Sequence, residues 1–198
     1  SVACALLAGS IGTMIGYAVS KNRRSRWANY VNSVAFLPYL MPSIAVGVAF
    51  FILFSTEKLN LFNTYTLLII VGTVKYIPFA SRSSLNSMLQ LSGEIEEAAI
   101  IQDIPWIKRM TRIIIPIQKS SVLSGYLLPF MTCLRELSFF MLLFVQGFIL
   151  STTLDYFDEM GLYAFSSGIN LILIVTILVC NTLVNKVTGA SLDKGIGG

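Results

Sequence analysis

Ser92-Gly93-Glu94-Ile95-Glu96-Glu97-Ala98-Ala99-Ile100-Ile101-Gln102-Asp103-Ile104-Pro105-Trp106 is acidic at its start, apolar through its middle, and closed by an aspartate and a proline. Ser92 is a good N-cap, and Glu94, Glu96 and Glu97 suit the positive end of a helix dipole. Pro105 fits the first turn of a following helix, with Asp103 or Ile104 as its cap. The stretch predicts a short helix, a turn at Asp103 and a second short helix.

The same character extends over residues 81–120. Upstream, Leu85, Met88 and Leu89 fall at i, i+3 and i+4. Ile95, Ala98, Ala99 and Gln102 share a face of the middle helix, and Trp106, Met110, Ile113, Ile114 and Ile117 form a third stripe. Lys108, Arg109 and Arg112 lie off that stripe, and Pro116 interrupts the chain. This is a set of short amphipathic helices rather than a polar linker. An amphipathic hairpin on a membrane surface and a docking platform for a partner both fit.

Outside this segment the chain is apolar. Of 198 residues, 55% are hydrophobic and only 12% charged, against about 25% charged in a soluble domain. Apolar blocks cover residues 2–20, 33–54, 64–80, 121–145 and 165–184. A helix of about 20 residues crosses a hydrocarbon core of about 30 Å. The expected fold is therefore all-α, a polytopic membrane bundle of five spans. The first block has no basic residues before it and reads as a span, not a signal peptide.

Loop charge sets the orientation. Lys21, Arg23, Arg24 and Arg26 follow the first block without an acid, and Glu57 and Lys58 balance in the second loop. Arg82, Lys108, Arg109, Arg112 and Lys119 mark the third loop. Asp155, Asp158 and Glu159 mark the fourth, and Lys186 and Lys194 the tail. Basic loops alternate with non-basic ones, which puts the first and third loops and the C-terminus in the cytoplasm.

Several function classes are disfavoured. The chain has no histidine, so imidazole metal sites and histidine-dependent triads are absent. Cys4, Cys133 and Cys180 lie singly in apolar blocks and read as small hydrophobes. No GxxxxGK[ST] phosphate loop, HExxH or GxSxG occurs. No metal, cofactor or nucleic-acid partner is expected for this chain.

Charges inside the blocks need partners. Arg135 and Glu136 sit past the middle of the fourth block, with Ser138 close by. Helical neighbours point about 100° apart, so these two do not satisfy each other. They either line a pathway or subunit contact, or fix helix packing. Pro129 predicts a kink below them. Lys75 is expected to snorkel to the headgroups.

Glu97-Ala98-Ala99, Asp103 and Pro116 resemble the EAA loop of type I ATP-binding-cassette importer permeases. Ile113 falls near that family's apolar position and Ile115 replaces its leucine. Asp103 departs from the usual glycine, which permits positive φ at the turn; aspartate tolerates that conformation and caps helices well. An elbow fixed by capping is the expectation. Pro42-Ser43-Ile44-Ala45-Val46-Gly47 resembles the family's entry to a span. Leu134-Arg135-Glu136-Leu137-Ser138 and Asp155-Tyr156-Phe157-Asp158-Glu159-Met160-Gly161 resemble its iron(III) branch.

The resemblance implies a permease domain over residues 1–198, missing its start, with residues 81–120 as the cytoplasmic coupling loop. It implies a bacterial inner-membrane location and several partners: separate ATPase subunits, a second permease unit, and an extracytoplasmic solute-binding protein. Ala98 and Ala99 would let the short helix sink into a groove of the ATPase, with Glu97 pairing there. Asp155, Asp158 and Glu159 would dock the binding protein or form a solvated turn. Ferric iron is the expected cargo. Phosphonate, polyamine or oxyanion cargoes fit the same subunit type. A secondary transporter or channel, with charges along several spans and no structured docking loop, is the more distant alternative.

Overall fold

The computed structural model describes residues 1–56, 61–144 and 149–188, and every regular element among them is helical. The expected loop pair Glu57 and Lys58, Val145 at the end of the fourth block, and Lys194 in the tail lie outside the described residues.

The helix α4 (Tyr65–Gln90) forms the axis of the bundle, packed against α1 (Val2–Lys21), α2 (Arg26–Leu40) and α8 (Lys119–Leu134). Thr64 caps α4, its hydroxyl accepting from the Leu67 N–H at 3.2 Å. At 26 residues α4 is about 39 Å long. It absorbs the expected 64–80 block and the Leu85, Met88 and Leu89 stripe. The loop that follows therefore begins at Leu91 rather than at residue 81.

α1 approaches α4 closely because it presents glycine there. A Cβ on Gly12 would lie 2.7 Å from the Ser81 backbone nitrogen, and one on Gly16 2.7 Å from that of Leu85. The Ser84 hydroxyl donates to the Thr13 carbonyl across the seam at 3.2 Å. Small residues let helix backbones approach in this way, so dispersion contacts accumulate along the seam.

Two expected spans are broken. The 33–54 block is not one helix: α2 and α3 (Ser43–Phe54) meet at 103°. Pro42 lacks an N–H and biases Met41 away from the helical region, and Met41 is extended at φ −86, ψ 133. In the fourth block α8 runs on through Pro129 and stops at Leu134, and α9 (Ser138–Leu143) follows the break. The interruption thus falls at Arg135-Glu136-Leu137.

The fourth loop is also more ordered than expected. Asp155, Asp158 and Glu159 lie on a helix, α10 (Leu150–Glu159), which turns at Gly161 (φ +72) into α11 (Tyr163–Thr188).

Among the described residues, two helices are long and apolar enough to cross a membrane alone, Val2–Lys21 and Tyr163–Leu183. Two bent pairs also qualify, α2 with α3 and Trp106–Ile117 with α8, giving up to four spans. The remaining expected span is α4, which is long but less apolar. Its Lys75, Ser81, Ser83, Ser84 and Ser87 are buried, so protein rather than lipid surrounds them. The main core joins Cys4 and Ala8 of α1, Leu67 and Val71 of α4, Cys133 of α8 and Phe139 and Phe140 of α9.

Candidate functional sites: a clamped elbow and a junction of helix breaks

The elbow begins at Ser92, whose hydroxyl accepts from the Glu94 N–H at 3.4 Å and caps α5 (Gly93–Ile101). At the other end Asp103 takes φ +53. The Asp103 N–H donates to the Ile100 carbonyl at 2.9 Å, and the Ile104 N–H to the Ala99 carbonyl at 3.1 Å. These two bonds form a Schellman motif, which favours glycine at the left-handed position. The expected capping role of Asp103 is not what holds the turn. Pro105 occupies the N-cap of α6 (Trp106–Arg109), without a side-chain cap bond. Backbone bonds fix the elbow, helped by Arg109 Nη1, which donates to the Ile104 carbonyl at 2.9 Å.

Asp103→Gly is therefore expected to raise stability by about 1 kcal/mol, the cost of a left-handed non-glycine residue. Asp103→Val should lower it. Thermal unfolding of the detergent-solubilised chain reads both, and a loss with glycine would refute the strain argument.

Beyond α6 the chain passes through a short π-helix (Met110–Ile114) and the short α7 (Ile115–Ile117), which contains Pro116. It then bends by 86° into α8. Gln118 holds this corner. Its Nε2 donates to the Ser87 carbonyl at 2.7 Å, and the Ser87 hydroxyl donates back to Oε1 at 3.0 Å.

The faces of α5 differ from the expected stripe of Ile95, Ala98, Ala99 and Gln102. Glu96 and Ala99 point inward at 5% and 4% exposure. Glu97, Ala98 and Gln102 are exposed, and Ile101 is 82% exposed. Ala99 therefore packs against its own chain, leaving Ala98 as the small residue on the outer face. Beneath the elbow Met88, Met110 and Ile114 form a small core with Tyr17, Leu91 and Ile115.

Glu96 is the buried charge of this site. Its Oε1 accepts from the Tyr17 hydroxyl at 2.5 Å, Lys21 Nζ pairs with Oε2, and Arg109 Nε lies 3.8 Å from Oε1. Burial works against the carboxylate. Hydrogen bonds from Lys21 and Tyr17, with the charges of Lys21 and Arg109, outweigh it and hold the group below the usual carboxylate range. The lowered value means that this linkage stabilises the fold above the ordinary carboxylate pKa. The contribution is lost only as pH falls through the lowered one.

The second site lies where the two helix breaks meet. Lys75 does not snorkel: it is buried, and Nζ donates to the carbonyls of Pro38 at 2.9 Å and Met41 at 2.5 Å. It thereby satisfies carbonyls left open where α2 ends. Glu136 does the converse for α9. Its Oε1 accepts from the Ser138 N–H at 3.1 Å, and its Oε2 from the Tyr76 hydroxyl at 2.7 Å and the Ser43 hydroxyl at 3.3 Å. The Ser151 hydroxyl donates to the Glu136 carbonyl at 2.7 Å. One knot thus ties α3, α4, α9 and α10 together.

Arg135, at the C-cap of α8, is exposed and has no ion pair or side-chain hydrogen bond among the described residues. The neighbours Arg135 and Glu136 are thus separated in environment, one outward and one tied in. The Ser138 side chain is exposed at the start of α9. On α10, Asp158 accepts a hydrogen bond from Ser166 of α11, while Glu159 is exposed and Asp155 half-buried. No group of three metal-ligating side chains occurs among the described residues.

Glu96 with its donors, the Gly12–Gly16 seam, Tyr76 and Gln118 were not singled out as site residues from sequence. Only the seam has a clear sequence signal, Gly9-x-x-Gly12-x-x-x-Gly16, a spacing of small residues on one helix face.

Apolar helices, broken helices tied by buried polar groups and a structured elbow at the bundle's end are the architecture of a membrane transport component. The chain belongs to the family of binding-protein-dependent transport system inner membrane components, whose sequence model matches residues 10–191. That family comprises transport components rather than catalysts. No curated protein matches the chain.

Proposed function

We propose that this chain is the permease subunit of an ATP-driven importer and that Glu97 and Ala98 dock a separate cytoplasmic ATPase. The outward face of α5 carries the reading. Glu97, Ala98 and Ile101 are exposed on a helix whose other side is anchored by Glu96 and Ala99. A rigid helix with a small residue between an acid and an isoleucine suits insertion into a groove. Closure of the ATPase would move the docked elbow and rock the spans between inward-open and outward-open states. In this reading the loops bearing Arg23 and Lys108 face the cytoplasm, as does the C-terminus. A second permease unit completes the pathway, and an extracytoplasmic binding protein delivers solute near Asp155 and Glu159.

Co-purification with the cognate ATPase subunit tests the docking. The wild-type chain should retain the ATPase. Glu97→Lys should weaken association by at least about tenfold, because it reverses a contact charge. Failure of the wild type to associate, or equal association of the variant, would sink the docking role.

For cargo, ferric iron is the proposed solute, on the resemblance of residues 134–138 and 155–161 to the iron(III) branch. The exposed guanidinium of Arg135 favours a second reading, an anionic solute such as phosphonate or another oxyanion, because a cation without an ion-pair partner attracts anions and repels a bare metal ion. Identifying what the cognate binding protein holds separates them, and a sugar or amino acid there would refute both.

A further inference from the structure

We propose that Glu96 is the positioning residue through which movement of the elbow reaches α1. This rests on the importer reading, in which the ATPase moves α5. Glu97, one residue on, faces outward, whereas Glu96 points into the bundle and meets two elements at once. Tyr17 and Lys21 come from the last two turns of α1, and Arg109 from α6. The Tyr17 ring also packs on Trp106 of α6, with centroids 6.2 Å apart.

The chemistry makes this link stiff. A buried carboxylate stripped of its partners is strongly disfavoured, so α5 does not swing away from α1 without a large penalty. Lys21 also sits in the last turn of α1, where a cation complements the helix dipole. It is thus held both by its own helix and by Glu96. From α1, displacement passes across the glycine seam to α4, whose Lys75 and Tyr76 hold the two helix breaks. Each step is a packed or hydrogen-bonded contact, and its coupling is measurable.

The experiment uses the intact transporter with its ATPase in lipid nanodiscs. Hydrogen–deuterium exchange of α1 is compared between the nucleotide-free state and the state trapped with ATP and vanadate. The wild type should show a nucleotide-driven change in α1. In Glu96→Gln, which keeps an acceptor for Tyr17 but loses the charge, that change should shrink by at least about fivefold. The change in α5 and α6, and co-purification of the ATPase, should persist. An undiminished change in α1, or none in the wild type, would overturn the proposal.

A second variant guards against misfolding of the first. Lys21→Cys with Glu96→Cys, in a Cys180→Ala background, breaks the ion pair and allows it to be replaced by a reducible bifunctional thiol reagent. Cys4 and Cys133 are buried. The nucleotide-driven change in α1 should appear when cross-linked and fall on reduction. Loss of the change on cross-linking would show that the joint must open, which overturns the proposal. If the wild-type ATPase does not co-purify, the importer reading itself has failed, which is a separate result from any behaviour of Glu96.

Discussion

Gly12→Ala is expected to lower the midpoint of thermal unfolding of the detergent-solubilised chain, and Gly168→Ala to raise it. Both residues are helical, and in a helix interior alanine is better than glycine by about 1 kcal/mol. Propensity therefore gives both substitutions the same sign, and packing must reverse one of them. An added methyl on Gly12 would lie 2.4 Å from Ala80 Cβ and 2.7 Å from the Ser81 nitrogen. Backbone atoms cannot rotate away, so α1 would have to lift from α4. Overpacking of this kind costs about 1–3 kcal/mol, enough to outweigh the propensity gain. Gly16→Ala should behave likewise, since its methyl would meet Ser84 and the Leu85 nitrogen. At Gly168 nothing lies within 4 Å, and only the propensity term remains. Gly125 makes a third point, with its nearest atom at an ordinary 3.7 Å, and alanine there should be tolerated. If Gly12→Ala and Gly168→Ala shift stability in the same direction, the close approach of α1 and α4 is wrong.

The features legible in the sequence were those settled by near neighbours. Ser92 followed by acids predicts a capped helix, and α5 is capped by Ser92. Asp103 in place of glycine predicts a left-handed turn, and its φ is +53. Both depend on backbone chemistry within a few residues. The breaks at Met41 and Arg135 were not read, because apolar composition continues across them and a hydropathy block has no term for helix direction. Pro42 was visible but read as an entry to a span, whereas it bends the chain by about a right angle, 103°. A proline inside a packed helix is tolerated when the bundle holds both sides, while adjacent charged residues need partners that a straight helix does not supply.

Side-chain destinations were least legible. Lys75 reads as a snorkelling residue because its own helix end is the nearest polar surface known from sequence. The carbonyls of Pro38 and Met41 become available only once α2 ends beside α4. Glu96 and Glu97 are chemically identical neighbours about 100° apart on a helix. Which of them turns inward is decided by Lys21 and Tyr17, distant in sequence. The outward face of α5 therefore has one alanine rather than two, because the same rotation that buries Glu96 also buries Ala99.

Glu136→Ala is expected to destabilise the chain by about 2–3 kcal/mol, chiefly by leaving a buried donor unpaired. Tyr76 is 3% exposed, and its hydroxyl has Glu136 as its hydrogen-bond acceptor at 2.7 Å. Removing the carboxyl also strips the Ser138 N–H of its acceptor at the start of α9 and releases Ser43 at the start of α3. The diagnostic experiment adds Tyr76→Phe. Deleting one partner of a buried bond is costly, but deleting both is nearly neutral. Glu136→Ala with Tyr76→Phe should therefore recover about 1–2 kcal/mol relative to Glu136→Ala alone, a coupling readable from a double-mutant cycle. A rivet between helix breaks predicts that recovery in the chain without its partners, where no cargo moves. A residue that served only to contact cargo would give little stability loss and no recovery, and the additive result would remove Glu136 from the framework of the bundle. Arg135, adjacent but exposed, should show no coupling to Tyr76. The cycle therefore also tests whether the two neighbouring charges, indistinguishable by position in an apolar block, have been divided by the break into one that holds the helices and one that faces outward.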